Sequence, residues 1–199
     1  MVKKGPALYI LHGPPRIGKQ KLVDLFLALH PGTRAIEGDN VRATLWTALD
    51  EHKLHHRPLF QMLHDNETYP DEASWMMMAS WPGYIQERQW NMHTEVWRKG
   101  ILPQIAYHMK LGHSLIVEGV AAYPELVAEL PYDFHYVAVG TQHGQAEHMI
   151  RHARENPDID WMANWSESRI RKYAELQAEM SRACAEEAEK FGLCYVEMS

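Results

Sequence analysis

The chain has 199 residues, 46% of them hydrophobic and 23% charged, values that fit one globular domain and exclude a disordered, collagen-like or coiled-coil chain. Lys and Arg number 20 against 26 Asp and Glu, a formal net charge of -6, so no overall basic field exists to hold duplex nucleic acid, and no nucleic-acid partner is expected. Cys184 and Cys194 are too few for a disulfide framework and lack zinc-site spacing, and the apolar run before Gly13 is too short for a signal-peptide core or a membrane span, so a cytoplasmic location with no membrane partner is expected.

Ala7 to His12 is a short apolar run bounded by Pro6 and Gly13, which suits a strand buried on both faces. A helix is expected from Gly18, with Leu22, Leu25, Phe26 and Leu29 at helical spacing and Pro31-Gly32 as its stop. A second strand at Thr33 to Glu37 precedes a helix capped by Asp39 or Asn40 and carrying Val41, Leu45 and Leu49. From His52 to Gly83 the pattern breaks at Pro58, Pro70 and Pro82, and the stretch reads as a helical insert or substrate lid within the domain. Tyr84 to Leu111 is helical in pattern, with Trp97, Ile101, Ile105 and Met109 stacked four apart and Gly100 and Pro103 expected to kink or split it.

Ser114 to Gly119 and His135 to Gly140 read as strands, with a short helix around Glu125 to Leu130 between them. A long helix from Met162 to Phe191 follows from the spacing of Trp165, Tyr173, Leu176, Met180, Ala183 and Phe191, and Gly192 ends it. Cys194 to Met198 makes a fifth strand. Strand and helix alternate from end to end, the pattern of an α/β domain, residues 1–199, whose parallel sheet is covered by helices on both faces.

Gly13-Pro14-Pro15-Arg16-Ile17-Gly18-Lys19-Gln20 matches G-x-x-x-x-G-K-[S/T] except at its last position. A strand feeding this loop into a helix aims backbone N–H groups and the positive end of the helix dipole at one point, where a phosphate chain would lie within reach of Lys19. Gln20 replaces the hydroxyl that ordinarily contacts Mg²⁺. Either its amide oxygen ligates the metal in a shifted geometry, or water and acidic groups hold it, or nucleotide is bound with reduced catalysis.

Asp39, at the exit of the second strand, and Arg42, a turn later, would meet a substrate beyond the carboxyl ends of the strands, although Asp39 also suits an ordinary helix cap. Glu118 ends an apolar strand, which places a carboxylate beside the phosphates or their Mg²⁺, acting through water. Arg151 and Arg154, three apart on one helix face, suit developing phosphoryl charge, and Asn156-Pro157-Asp158 beside them would permit hinging, so residues 148–160 read as a lid. His52, His55 and His56 lack a third ligand at a recognisable spacing, and Trp75 to Met78 reads as packing.

Taken together, these segments resemble the small P-loop kinases, and within them the 2-phosphoglycerate kinase-like and zeta-toxin-like group. Gly13 to Lys19 resembles the phosphate loop and Asp39-Asn40-Val41-Arg42 the Asp-x-x-Arg acceptor motif. Ser114 to Val120 followed by Pro124, and the tail from Glu187, are similar to segments of the 2-phosphoglycerate kinase-like proteins. The resemblance implies a P-loop NTPase three-layer α/β/α sandwich with a five-stranded parallel sheet of order 2-3-1-4-5. It also implies ATP as donor, with GTP as the other candidate, and Mg²⁺.

On that resemblance Lys19 clamps the donor phosphates, Asp39 takes the proton of the acceptor hydroxyl, Arg42 anchors the acceptor, and Arg151 and Arg154 are lid arginines. Gln20 departs from the pattern, as does Ala121 where 2-phosphoglycerate kinase-like proteins often have His, so that substrate is not transferred. The expected activity is ATP-dependent phosphoryl transfer to a hydroxyl of a small polar metabolite, nucleoside or sugar, by a monomer or homodimer. The alternative is a nucleotide-binding regulatory module with weak or lost catalysis, and a third reading is a nucleotide hydrolase without an acceptor.

Overall fold

The computed structural model describes residues 5–48, 94, 96–160 and 162–198, so the insert expected at 52–83, with His52, His55, His56 and Trp75 to Met78, lies outside the described residues. Five strands form one sheet in the order β2-β3-β1-β4-β5, and each recorded pair is parallel. The chain runs β1 (Leu8–His12), α1 (Lys19–Leu29), β2 (Arg34–Glu37), α2 (Gly38–Ala48), then a π-helical turn (Trp97–Ile101) continuing into α3 (Leu102–Lys110). After these come β3 (Leu115–Gly119), α4 (Pro124–Ala128), β4 (Phe134–Gly140), α5 (Ala146–Glu155), α6 (Glu167–Lys190) and β5 (Cys194–Glu197).

Alternation along the strands divides the core in two. Tyr9 and Leu11 of β1, Ile116 of β3 and Val137 and Val139 of β4 face α1, where Val23, Leu22 and Phe26 close over them. Leu8 and Ile10, Leu115 and Val117, and Tyr136 and Ala138 point the other way, into a cluster with Trp97, Ile101, Ile105, Leu126, Leu176, Met180 and Cys184. Both faces of the sheet are therefore buried under helices, which is why β1 and β3 read as unbroken apolar runs rather than alternating ones. A third cluster joins Met149, Ile150 and Ala153 of α5 to Ile170, Tyr173 and Ala174 of α6.

Several boundaries differ from the sequence reading. The last long helix starts at Glu167, not Met162, because Ser166 takes the N-cap and accepts a bond from Arg169 N at 3.3 Å. Met162 is instead buried in the preceding turn, its N–H bonded to Asp160 Oδ1 at 2.8 Å, so its apolar character reflects tertiary packing. The second helix begins at Gly38, which puts Asp39 in its first turn and not at a capping position. The short helix spans Pro124–Ala128 and stops before Leu130.

The irregularity expected near Gly100 and Pro103 is a π-helical turn over Trp97–Ile101, after which Pro103 sits in the first turn of α3. Gly100 is required by packing, since a Cβ there would overlap Val41 Cγ1 and approach Leu45 Cδ1 of α2 at 2.9 Å. Among the described residues no helix is long and apolar enough to cross a membrane.

Candidate functional site

The loop after β1 is shaped by its neighbours. At Gly13 (φ 150°) a Cβ would overlap the carbonyl oxygen of Val139 on β4, so no side chain fits as the chain leaves the sheet. Arg16 lies in the left-handed region at φ 62°, and Gly18 at φ 82° forms the N-cap of α1 without a side-chain cap. The first-turn N–H groups of α1 thus have no intrahelical acceptor, and Gly18 caps them with no side chain.

Lys19, first residue of α1, is only 6% exposed, and its Nζ donates to Pro14 O at 2.7 Å and lies 3.4 Å from Glu118 Oε1. Glu118 is brought there by register, opposite Leu11 of β1 and opposite Glu37 of β2. Burial pushes the Lys19 ammonium down from its usual range, and the carboxylates of Glu118 and Asp39 oppose that shift. Burial pushes the Glu118 carboxyl up, with Lys19 pulling it down and Asp39 and Glu37 adding to the rise. Burial thus works against the charge on both side chains, each opposes that effect on the other, and the field of Asp39 reaches both.

Asp39 itself is 75% exposed and pairs with Arg42 at 3.3 Å along α2. Gln20 Nε2 donates to Asp24 Oδ1 at 3.2 Å and to Glu37 Oε1 at 3.4 Å, and Asn40 Nδ2 donates to Glu37 Oε2. Strand order therefore gathers Lys19, Gln20, Glu37, Asp39, Arg42 and Glu118 at the carboxyl ends of β1, β2 and β3.

The two α5 arginines have other surroundings. Arg154 donates from Nη1 to Ala163 O at 2.5 Å and from Nη2 to Trp165 O at 2.9 Å, fastening the turn before α6. Arg151 lines a groove of about 1000 Å³ between α5, α6 and the loop after β4, together with Glu147, His148, Arg171 and Arg182.

Other residues around the loop are absent from the sequence reading. Arg16 donates to Asp160 from Nη1 at 2.9 Å and from Nη2 at 2.5 Å, and His152 Nδ1 lies 2.7 Å from the same carboxylate. Gln177 Nε2 of α6 donates to Pro15 O at 2.6 Å, while its Oε1 is buried without a hydrogen-bond partner among the described residues. Gln177 was detectable in principle as a polar residue inside the apolar stripe of α6. Asp160, in a polar stretch with Pro157, gave no such signal.

His12, wholly buried, sits with Nδ1 3.3 Å from Gly119 O and Nε2 3.4 Å from Cys184 Sγ. A carbonyl only accepts, so Nδ1 carries the proton and Nε2 receives the Cys184 S–H. Burial pushes that thiol well up, which keeps it protonated.

The strand order and the loop between β1 and α1 define a P-loop NTPase fold. No protein-family profile matches the sequence, and no curated protein is significantly similar to it. Among solved structures the chain is similar to one from the PezAT chromosomal toxin–antitoxin system of Streptococcus pneumoniae, with 14% identity over 99% of this chain and 72% of that one at a TM-score of 0.44. It is similar to a gluconokinase from Sinorhizobium meliloti (13% identity, 99% and 85% covered, TM-score 0.44). A dephospho-CoA kinase from Campylobacter jejuni is also similar (14% identity, 96% and 87% covered, TM-score 0.46).

Proposed function

We propose that the protein is an ATP-dependent phosphotransferase acting on a hydroxyl of a small polar metabolite, nucleoside or sugar. The observation that carries this is the meeting of Lys19, Glu118 and Asp39 beside a glycine-bounded loop at the carboxyl ends of three parallel strands. Open parallel sheets bind their ligands there, and the loop's backbone N–H groups suit a polyphosphate. On this reading the donor phosphates replace the Pro14 carbonyl as the partner of Lys19 Nζ, so a cation already desolvated meets the charge that transfers.

The acceptor hydroxyl oxygen forms a bond to the γ-phosphorus as the bond to the β-bridging oxygen breaks, and ADP leaves. Asp39, exposed and within the field of Lys19, accepts the hydroxyl proton, and Arg42 beside it holds the acceptor. Arg151, on the groove between α5, α6 and the loop after β4, and Arg154 are the lid arginines of this reading, with residues 148–160 as the lid. Mg²⁺ suits a site of one or two carboxylates completed by phosphates, and Glu118, directly or through water, with the amide oxygen of Gln20 would hold it here and spread the phosphate charge.

The test is release of ADP from ATP and Mg²⁺ against a panel of sugars, polyols and nucleosides. One acceptor should stimulate release, and no stimulation by any of them would refute the transfer. A second reading, a nucleotide-binding module with weak catalysis, is favoured by the tie of Gln20 to Asp24 and Glu37 where a hydroxyl would serve Mg²⁺. Under that reading Gln20→Thr raises turnover, whereas under the first the same change leaves it unaltered or lowers it.

A further inference from the structure

The tip of the phosphate loop is fastened to the far end of the α5 segment, away from Lys19, Glu118 and Asp39 in sequence. Arg16 presents its guanidinium edge to both oxygens of Asp160, 144 residues further on. That carboxylate is wholly removed from solvent, while the arginine keeps 17% of its side chain exposed. Asp160 also accepts from Met162 N at 2.8 Å and meets His152 Nδ1 at 2.7 Å, so its oxygens bridge the end of α5, the following turn and the loop. Its neighbour in the loop, Pro15, is held by Gln177 of α6. Two consecutive loop residues are thereby gripped from the α5–α6 side.

The charge arrangement makes this a puzzle for a loop that takes a polyanion. A permanent carboxylate beside the loop repels phosphate, and by occupying the fork of Arg16 it diverts a cation that would otherwise attract it. Against that repulsion, its burial and its bonds to Arg16, His152 and Met162 N hold Arg16 in place.

We propose that Asp160 is a positioning residue for the phosphate loop: by fixing Arg16, and with it the left-handed turn at the loop's tip, it makes polyphosphate affinity depend on the α5–α6 turn. This rests on the reading that the loop binds nucleotide. It carries a sign that distinguishes it from simple electrostatics. Removing a negative charge near a polyanion site tightens binding, whereas removing a positioning group weakens it.

The experiment is calorimetric titration of the full chain with ATP, with and without Mg²⁺, for the native protein, Asp160→Asn, Arg16→Ala and the double variant. Each single change should weaken ATP binding by about tenfold or more, and the double variant should bind no worse than the weaker single one, because Asp160 acts through Arg16. Affinity unchanged or tightened in folded Asp160→Asn, even with a lowered melting temperature, would overturn the proposal. So would losses that multiply in the double variant.

If Asp160→Asn does not fold, as circular dichroism would show, Asp160→Glu and Arg16→Lys keep the charges and alter their reach. About threefold or greater weakening in both is then expected, and none in either overturns the proposal. A native protein that binds no nucleotide refutes the reading of the loop itself, whereas native binding with indifferent variants refutes only the role of Asp160.

Discussion

Lys19 and Glu118 lie 3.4 Å apart where the sheet meets the phosphate loop. Each is disfavoured by burial, and each is the other's principal compensation. Asp39 stands at the edge of this pair, and as the proposed general base it should matter to rate and little to binding. Asp39→Asn should lower kcat by about 10² to 10⁴, or roughly 3 to 5 kcal/mol of barrier, with ATP affinity retained. Steady-state kinetics with the stimulating acceptor checks this, and an unchanged kcat would remove Asp39 from the mechanism.

Asp160 makes a prediction on stability. Burial works to raise its carboxyl, but bonds from Arg16, His152 and Met162 N prevail and bring it down to about 2 from an ordinary 3.8. A depressed carboxyl stabilises the fold above its unfolded value and loses that contribution as pH falls through its folded one. The gap is worth on the order of 2 kcal/mol at pH 7. In urea unfolding, the stability difference between native protein and Asp160→Asn should hold from pH 7 to about 4 and shrink between about 4 and 2. A difference that ignores pH in that window would contradict the assignment.

Elements were legible where one kind of neighbour dictates the pattern. β1 and β3 are covered on both faces, so their apolar runs Leu8 to Leu11 and Leu115 to Val117 announce strands, and the glycines and lysine between β1 and α1 announce the turn that joins them. Pattern misled where tertiary contacts set the burial. Met162 repeats the spacing of α6 yet packs in a turn organised by Asp160, and helix capping by Ser166 decides the boundary.

The break expected from Gly100 and Pro103 is the π-helical turn, and Gly100 within it admits α2. Gly100→Ala should destabilise the fold by about 1 to 3 kcal/mol, because Val41 and Leu45 must give way, as read from the urea midpoint. A neutral substitution would mean that α2 does not press on that turn.

At the scale of the whole molecule, the sheet order β2-β3-β1-β4-β5 does the assembling. Placing β3 between β1 and β2 brings Glu118 beside Lys19 and Glu37, a meeting of residues far apart in sequence that the order implied by the family resemblance already contained. The clasp of Arg16 by Asp160 and of Pro15 by Gln177 was not legible, because it joins a loop to a turn and a helix through side chains whose sequence surroundings carry no shared pattern.

The central claim is that the loop from Gly13 to Gln20 binds a nucleotide's phosphates, and it is tested most directly by thermal unfolding with ATP and with GTP, each with and without Mg²⁺, against Lys19→Ala. At about 100 times Kd a ligand stabilises by roughly 2.7 kcal/mol, which in a domain of this size raises Tm by about 5 to 10 °C. A Mg²⁺-dependent rise with one of the nucleotides, lost in Lys19→Ala, is the predicted result, and no rise with either would contradict the account.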